Sequence, residues 1–432
     1  MTEKKININL FAVLIFTSGL LVLSIDKIFL GLKFLYFKIS SLDLSFGQIQ
    51  ELDFISGLLF SLVFIIVTIL FVLNYFKLLK LKLFEKLTHS LRKVNTEFLI
   101  GIDLAYILIV ITLTAPIISP VNPSFHKDIQ LTKFLKPLES VKYVKLKSKE
   151  GELSENEKIK KILFENFNEE NRIYFEEMKI EGSSVHLIKN MLIDKFSIDE
   201  IENENGKPKI YSKVFLLGTD EFGRDLLSRI IYGIRISFFI GVLSVFVSFL
   251  LGSLIGYSAG VFGGFIDNLL MRVVDFFLSF PILFFVIFLI AFLGNSILLL
   301  ILVFGFSGWM FIARLARNET LACMKKEFVQ TLLLVGQKKF KIVLNHILPN
   351  TFAPILITLI FQFSNVVIAE SALSFLGLGV QPPTPTLGGI IKTGYDYFSS
   401  ASWISFSSGF ALIIIVLTFN LIGEGLKKSD LK

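Results

Sequence analysis

Long apolar runs separated by short charged segments dominate this chain of 432 residues. A run of about 20 apolar residues is long enough to cross the hydrocarbon core of a bilayer as a helix. Eight such runs predict membrane-spanning helices at residues 9–25, 55–77, 98–119, 233–257, 269–293, 295–316, 351–372 and 402–423. The first run lacks a small-residue cleavage pattern, so it is predicted to be an uncleaved anchor. The expected fold is therefore an all-α, polytopic helical bundle.

Composition and charge placement support a membrane protein with a defined orientation. The chain is 53% hydrophobic, whereas soluble domains are about 45–50% apolar. Lysine and arginine gather before the first run, after the second, between the sixth and seventh, and at the end. With eight spans these segments share one face, and the positive-inside rule makes that face and both termini cytoplasmic. The net charge of +7 then reports orientation, and no nucleic-acid binding is predicted.

A polar segment, residues 121–215, interrupts the apolar pattern on the extracytoplasmic face. Val141 to Lys147 alternates weakly, as a short strand does. Ser154 and Glu157 match a capping box that opens a helix, and Val185 to Phe196 predicts a second helical stretch. These patterns predict a small α+β insertion. Its role is open between a docking surface for a binding protein and a lineage-specific addition.

A basic, amphipathic segment joins the sixth and seventh runs. Phe328, Leu332 and Val335 fall at helical spacing and form an apolar stripe. Gly336 is a natural stop for that short helix, and Pro349 is predicted to end a second one. The second helix carries Phe340, Val343, Leu344 and Ile347. Two short helices with apolar stripes outside the bilayer offer a surface to a partner.

This segment resembles the cytoplasmic coupling loop of ABC importer permeases, the element that docks onto a separate ATPase subunit. The matching residues are Glu327, Phe328, Val329, Gly336 and His346 to Asn350. Gln330, Thr331 and Leu332 stand where the family loop carries a Glu-Ala-Ala triplet. The residues that the resemblance assigns to ATPase coupling are Glu327, Phe328, Val329, Leu332, Val335, Gly336 and Pro349.

A second motif, LGTDEFGRDLLSRIIYGIR at residues 217–235, resembles the oligopeptide/dipeptide/nickel branch of the same permeases. The matching residues are Gly218, Thr219, Asp220, Gly223, Arg224, Asp225, Ser228, Arg229, Gly233 and Arg235. Glycines and charges just outside a span suit a tight turn at the lipid interface. Asp220 is expected to cap the following helix, and Arg224 and Arg229 to pair with carboxylates or headgroups.

Further matches to this branch occur at residues 256–281, 370–389 and 420–425. Arg272 and Asp275, three positions apart on one helical face, are expected to neutralise each other. Pro281 is expected to kink its helix. Glu370, a carboxylate at the edge of an apolar run, is a candidate for the translocation path, with a structural hydrogen-bonding role as the alternative.

The resemblance implies six core helices, two extra N-terminal helices and a set of partners. The expected regions are 1–95, with the two extra helices; 96–120, the first core helix; 121–215, the insertion; and 216–432, the core permease domain, with the coupling loop at 318–350. The implied partners are a second homologous permease, two ATP-binding subunits and an extracytoplasmic substrate-binding protein. The implied location is the cytoplasmic (inner) membrane.

No catalytic, cofactor or metal site is predicted. A phosphate-binding loop is missing, since the one Gly-Lys pair, Gly206-Lys207, is followed by Pro208. The four histidines are far apart in the sequence, and the single Cys323 excludes an internal disulfide. The chain is therefore interpreted as a permease subunit that forms a path for peptides. Nickel or another small solute, an ion-coupled secondary transporter, and a membrane-anchored enzyme or sensor built on residues 121–215 remain the alternatives.

Overall fold

A computed structural model of the chain describes residues 13–14, 16–40, 49–75, 95–125, 128–147, 159, 169, 171–189, 192–204, 206–294 and 296–430. The chain divides into two compact units. The first comprises Met1–Thr88, Tyr106–Arg235 and Pro382–Ala411, and the second His89–Ala105, Ile236–Gln381 and Leu412–Lys432. The predicted capping box of Ser154 and Glu157 lies outside the described residues.

Helices make up most of the described chain. They are α1 (Ile25–Ser40), α2 (Ile49–Tyr75), α3 (Thr96–Ile118), α4 (Ile129–Thr132), α5 (Leu226–Phe262), α6 (Gly264–Leu278), α7 (Ile282–Leu293), α8 (Ile297–Met324), α9 (Glu327–Leu334), α10 (Lys339–Ile342), α11 (Leu348–Phe375), α12 (Leu387–Asp396) and α13 (Phe398–Asp430). Six segments within the described residues are long and apolar enough to cross a membrane: Gln50–Leu70, Thr96–Ile118, Leu226–Phe262, Ile297–Met324, Lys339–Phe375 and Phe398–Lys428. The predicted all-α membrane bundle is confirmed.

The predicted span at 269–293 is not a single helix. It is divided between α6, which ends at Leu278, and α7, which begins at Ile282. Pro281 lies between them in an extended conformation, with φ −62° and ψ 115°. Proline has no N–H for the helical ladder and disfavours the helical conformation in the residue before it, so the break exceeds the expected kink.

The first predicted span also differs in the structure. Residues 9–12 and 15 lie outside the described chain, residues 16–22 are helical, and the chain turns at residues 23–24. The helix α1 then begins at Ile25, where the predicted span ends. The segment after the first run, for which the apolar pattern predicts no span, therefore contains a helix that also carries charged residues.

In the first unit, the N-terminal helices pack around buried apolar side chains. Phe34 of α1, Leu58 of α2 and Ile117 of α3 are fully buried in one cluster. Gly57 lets α2 approach Pro116 of α3, since a Cβ there would lie 3.1 Å from the proline ring. These contacts anchor α1 and α2 to α3.

The insertion, also in the first unit, is built mainly of strands. They are β1 (Glu139–Lys145), β2 (Arg172–Phe175), β3 (Glu177–Glu181), β4 (Ser184–Lys189), β5 (Leu192–Ser197), β6 (Asn203–Glu204), β7 (Lys207–Pro208) and β8 (Tyr211–Phe215). They form antiparallel sheets with the orders β2-β1-β8 and β3-β4-β5, and a β6-β7 pair. Val144, Ile173, Phe175, Val185, Leu187 and Ile201 form their core.

One secondary-structure prediction for the insertion is confirmed and one is wrong. The strand expected near residues 141–147 is β1. The helix expected from Val185 to Phe196 is instead β4 and β5, paired antiparallel. Val185 and Leu187 are buried while His186 between them is not, so the apolar pattern has the period of a strand. The insertion is thus more β than the α+β fold expected, at least in its described residues.

In the second unit, α5 and α8 pack closely through a stripe of glycines. Gly252, Gly256 and Gly260 are spaced four apart on one face of α5. A Cβ at Gly252 would lie 2.6 Å from the Trp309 carbonyl oxygen, and one at Gly260 would lie 2.6 Å from Thr320 Cβ. Small residues at this spacing bring membrane helices into backbone contact. A separate core cluster joins α5, α7, α8 and α11 around Phe304.

Candidate functional site

The segment Glu327–Asn350, called the elbow below, begins with α9. Gly336 ends this helix as predicted, with a positive φ of 81°. Its N–H donates to the Leu333 carbonyl (3.0 Å), and the Gln337 N–H donates to the Leu332 carbonyl (3.0 Å). These two bonds form a Schellman motif, which satisfies carbonyls at the helix end. No heavy atom lies within 4 Å of a Cβ built at Gly336, so the backbone conformation is what favours glycine there.

The inner side of α9 packs against the rest of the second unit. Val329 is fully buried, and Leu332 is partly buried against the same cluster. That cluster includes Ile342 and Ile347 from the second half of the elbow. Two residues of the predicted coupling set, Val329 and Leu332, therefore hold the elbow in place and do not face outward.

The outer side of the elbow exposes large apolar side chains. The exposed fractions are 41% for Phe328, 87% for Leu334, 81% for Val335, 73% for Phe340 and 47% for Leu344. Phe328 and Val335 of the predicted stripe belong to this outer set. Phe340 and Leu344 also line an apolar cavity with α5. Several large exposed apolar side chains on one short segment are typical of an interaction site.

The second half of the elbow does not end at Pro349. The helix α10 continues through a π turn, Val343–Ile347, into α11, which has Pro349 in its first turn. The Leu348 N–H bonds to the Val343 carbonyl, five residues back, as a π turn requires. A wider turn just before the proline relieves the clash that its ring makes in a regular helix. Pro349 is therefore part of one continuous helix from Lys339 to Phe375.

Charged residues surround the exposed apolar side of the elbow. Glu327 is exposed in the first turn of α9, where a carboxylate is favoured by the helix dipole. The exposed lysines are Lys325, Lys326, Lys338, Lys339 and Lys341. An apolar centre with a positive rim fits a partner whose own surface is apolar and acidic.

Asp220 organises the turn between β8 and α5. Its Oδ1 accepts the N–H groups of Phe222 and Arg224, both at 2.9 Å. Its Oδ2 accepts Arg224 Nε–H at 2.7 Å and lies 3.2 Å from Arg229 Nε. The predicted pairing of both arginines with a carboxylate is confirmed. Because the Asp220 side chain is only 2% exposed, the two guanidinium groups compensate a charge that burial would otherwise penalise.

The residue that caps α5 is Asp225, and the prediction that Asp220 does so is wrong. Asp225 Oδ2 accepts the Ser228 N–H at 2.8 Å and the Ser228 hydroxyl at 2.6 Å. Asp225 immediately precedes the first helical residue, which places its carboxylate within reach of the third N–H of the helix. Burial raises the pKa of the Asp225 carboxyl. The pattern of an aspartate just before an apolar run is the sequence signal for this cap.

Thr219 and two glycines fasten the motif to the segment before β1. The Leu135 N–H donates to Thr219 Oγ1 at 2.8 Å, and Thr219 Oγ1 donates to the Thr132 carbonyl. Gly218 and Gly223 have φ of 79° and 73°. A Cβ at Gly218 would overlap the Leu135 carbonyl oxygen, and one at Gly223 would overlap Thr132 Oγ1. Conformation and space both require glycine at these two positions.

The predicted pair of Arg272 with Asp275 does not form. Arg272 is exposed, and Asp275 pairs with Arg314 of α8 at 2.5 Å. A neighbouring carboxylate, Asp267, receives two hydrogen bonds from Arg317, both at 2.6 Å. A tertiary partner on α8 thus replaces the local one. Both pairs join α6 to α8.

Glu370 is enclosed between α5 and α11. Only 1% of it is exposed. Its Oε2 accepts the Ser237 hydroxyl at 2.9 Å, and its Oε1 accepts the Ser374 hydroxyl at 2.7 Å. A side chain with both oxygens occupied in the protein interior does not line an open path. This geometry favours the structural alternative for Glu370.

Three polar residues that no predicted site includes have notable surroundings in the structure. Asp53 of α2 forms an ion pair with Arg235 of α5. Gln362 and Asn365 of α11 line a cavity. Amide side chains inside an apolar run are a visible sequence signal, whereas nothing in the sequence links positions 53 and 235.

The sequence is similar to transport proteins of known families. Residues 252–428 match the family model described as binding-protein-dependent transport system inner membrane component. The dipeptide transport system permease protein DppC of Alkalihalophilus pseudofirmus is 35% identical over 210 residues, which are 49% of this chain and 69% of that protein. A putative peptide transport system permease protein of Brucella suis is 40% identical over 212 residues, 49% of this chain and 71% of that protein.

A further permease and a solved transporter structure are also similar to this chain. The oligopeptide transport system permease protein OppC of Haemophilus influenzae is 36% identical over 210 residues, which are 49% of this chain and 68% of that protein. Among solved structures, the MetNI methionine ABC transporter in an inward-facing conformation aligns with a TM-score of 0.40 and 18% identity. That alignment covers 47% of this chain and 95% of the other.

Proposed function

Because this chain belongs to the family of binding-protein-dependent transport system inner membrane components, we propose that it is the membrane-spanning permease subunit of an ATP-driven peptide importer. Its relatives are named as dipeptide, oligopeptide or peptide permeases, which supports a peptide cargo and does not favour an ion-coupled carrier. The family is a transport component and not a catalytic subunit. ATP hydrolysis is therefore assigned to separate subunits.

The observation that carries the coupling role is the exposed apolar outer side of the elbow. Phe328, Leu334, Val335 and Phe340 lie on a segment whose inner side is fixed by Val329. A surface that is packed against the rest of the unit moves that unit when a partner displaces it, whereas an unpacked loop would move alone. We assign this surface to contact with an ATPase subunit, whose dimerisation would displace the elbow and shift the permease between inward and outward access.

The charge pattern supports an orientation for the chain. The lysines of the elbow and of the C-terminal end place both on the cytoplasmic face. The insertion then lies on the opposite face, where a substrate-binding protein would deliver cargo. With the insertion and the elbow on opposite faces, the chain must cross the bilayer once between α5 and α8. The 12 residues of α7 reach only about 18 Å, so α6 and α7 together form this crossing as a broken span.

The proposal includes a defined set of partners in the cytoplasmic membrane. A second homologous permease would enclose the path with this chain, and two ATPase subunits would contact the elbows. The exposed face of the insertion is available to the substrate-binding protein. This chain alone would then transport nothing, because the path and the energy source are both incomplete without these subunits.

Reconstitution of the whole complex tests this function. The chain is co-expressed with the second permease and the ATPase subunits from the same genome, purified and placed in liposomes with the binding protein. We expect uptake of a radiolabelled dipeptide or oligopeptide that requires ATP and the binding protein. ATP-dependent uptake of nickel without uptake of peptides would overturn the assigned cargo.

A further inference from the structure

A cavity of about 350 Å³ opens between α8 and α11 in the second unit. Its aromatic wall is formed by Phe304, Phe311 and Phe361, and its polar groups include Gln362 and Asn365. The volume lies near the lower end of the range of roughly 300–1,000 Å³ that small-molecule sites occupy. An apolar wall with a few placed polar groups is the usual composition of such a site.

Gln362 carries a buried hydrogen-bond acceptor that has no partner among the described residues. Its Nε2 donates to Ser248 Oγ at 2.7 Å, and Ser248 Oγ donates to the Gly305 carbonyl at 2.7 Å. Since a serine hydroxyl has one proton, which goes to Gly305, the side facing Ser248 must be the amide nitrogen. The remaining atom, Oε1, accepts no hydrogen bond from the described residues although it is buried. The partner that Gln362 Oε1 lacks is a hydrogen-bond donor such as an N–H group.

The helix opposite is shaped to admit the Gln362 side chain. A Cβ at Gly308 of α8 would overlap Gln362 Nε2. Glycine at this position therefore leaves the space in which the amide reaches Ser248. The contact holds Gln362 in one orientation, with its carbonyl oxygen directed away from Ser248.

Thr358, Gln362 and Asn365 lie on one face of α11, since their spacing of four and three follows the helical repeat. Asn365 is exposed within a segment that is long and apolar enough to cross the membrane. A primary amide facing lipid there would lose its hydrogen bonds, so this face is not suited to lipid. A peptide backbone supplies the missing groups, because each non-proline unit carries one N–H and one C=O.

We propose that Gln362 and Asn365 form a subsite that binds the backbone of the transported peptide. The exposed Asn365 amide pairs with one peptide unit, and the entering peptide displaces the side chains that cover Gln362 Oε1, which then accepts a neighbouring backbone N–H. The aromatic wall contacts the peptide side chains without selecting among them. The subsite therefore recognises short peptides by their amide groups and not by their sequence. This inference rests on the proposed function and adds the residues that contact cargo.

Peptide uptake by the reconstituted complex tests the subsite. We expect Gln362→Leu and Asn365→Leu each to lower peptide uptake by about threefold to tenfold, the loss of one hydrogen bond. The control is Ile368→Ala, on the same helix but outside the cavity lining, and its uptake should match the original protein. A peptide with one N-methylated amide should be transported more slowly by the original protein, and Gln362→Leu should no longer distinguish it from the unmethylated peptide.

Cysteine labelling provides a second measurement that does not depend on uptake. In a Cys323→Ser background, Asn365→Cys should react with a membrane-impermeant methanethiosulfonate, and saturating peptide with ATP and binding protein should slow that reaction. Ile368→Cys should not react. Absence of labelling at position 365, labelling that peptide does not slow, or cross-linking of that position to the second permease in every state would overturn the subsite.

The two proposals fail in different ways. If the original complex transports no peptide, the proposed function is wrong. If it transports peptides and the Gln362 and Asn365 variants transport them equally well with the same response to N-methylation, only the subsite is wrong.

Discussion

Asp53 and Arg235 form a two-point ion pair, with 3.0 Å between Oδ2 and Nη1 and 2.5 Å between Oδ1 and Nη2. The two residues are 182 positions apart, one in α2 and the other in α5. Two parallel charge-assisted bonds to a planar guanidinium give both strength and geometric specificity. The helix α2 is thus bound to the 217–235 motif by a defined contact.

Asp53→Asn should weaken this attachment. Asparagine is neutral and its amide nitrogen cannot accept from the guanidinium, so one bond is lost and the other loses the charge of its acceptor. We expect a loss of about 2 kcal/mol in stability, in the range for hydrogen bonds to charged groups. Thermal unfolding of the purified protein in detergent measures the change. Asp26→Asn is the matched control, because Asp26 is exposed on α1. Equal melting of the two variants would contradict the role of the pair.

Gly336→Val should uncouple ATP hydrolysis from transport. The residue has φ of 81°, and a side chain in this left-handed conformation costs about 1–2 kcal/mol. We expect the end of α9 to rearrange and peptide uptake for each ATP hydrolysed to fall by roughly fivefold to thirtyfold, the factor to which 1–2 kcal/mol corresponds. Gly336→Asn is the control, because asparagine tolerates this conformation. Undiminished coupling in the valine variant would remove Gly336 from the mechanism.

Phe340→Glu should weaken capture of the ATPase subunits without unfolding the permease. Phe340 is 73% exposed on the outer side of the elbow, so a charge there meets water in the isolated chain and an apolar surface in the complex. Co-purification of the ATPase subunits with the tagged permease measures the effect. Ile180→Glu, at an exposed position of β3, should leave co-purification unchanged. Equal recovery in both variants would place the ATPase contact elsewhere.

Asp220→Asn should be among the most damaging single changes in the 217–235 motif. It leaves Arg224 and Arg229 buried without their shared carboxylate, and breaking a buried pair costs about 3–5 kcal/mol. We expect little protein to survive extraction and size-exclusion chromatography. Glu221→Gln is the milder comparison, since Glu221 contacts Arg224 at 3.2 Å and retains more solvent exposure. A monodisperse Asp220→Asn protein with an unchanged melting temperature would contradict the structural role assigned to the Asp220 carboxylate and its two arginines.

Glu370→Gln should keep the protein folded, because serine hydroxyls can both donate to and accept from an amide. Glu370→Leu leaves Ser237 and Ser374 without their acceptor and should lower the melting temperature. Comparison of melting and transport separates the two roles considered for this residue. If Glu370→Gln folds normally and yet abolishes uptake, Glu370 acts in transport and not only in structure.

The apolar runs predict most of the helices because length and continuity decide whether a segment can cross a membrane. They do not predict where one run is cut. Pro281 divides a run that has enough apolar residues for one span. The helix continues through Pro349, because a π turn precedes that proline. Whether a proline ends a helix depends on whether the helical turns around it can widen. That depends on tertiary packing and cannot be predicted from the proline alone.

Local rules also failed where a distant partner competes with a near one. Asp275 has Arg272 at helical spacing but pairs with Arg314, because α8 brings that guanidinium closer. The motif of glycines and charges at 217–235 was correctly placed at a tight turn, since two of its glycines adopt positive φ. Its contacts with Leu135 and Thr132 could not be predicted from the sequence, because these residues are 84 and 87 positions away from Thr219.

The unbroken helix from Lys339 to Phe375 contains 37 residues and so is about 55 Å long. A helix of this length that moves as one body acts as a lever. A tilt of about 10° at one end would sweep the other through roughly 10 Å, at 1.5 Å of rise per residue. Phe340 lies near one end, and Gln362 and Asn365 lie on the distal arm. Displacement of the helix at its Lys339 end would therefore move Gln362 and Asn365 as well, because all three residues belong to the same helix.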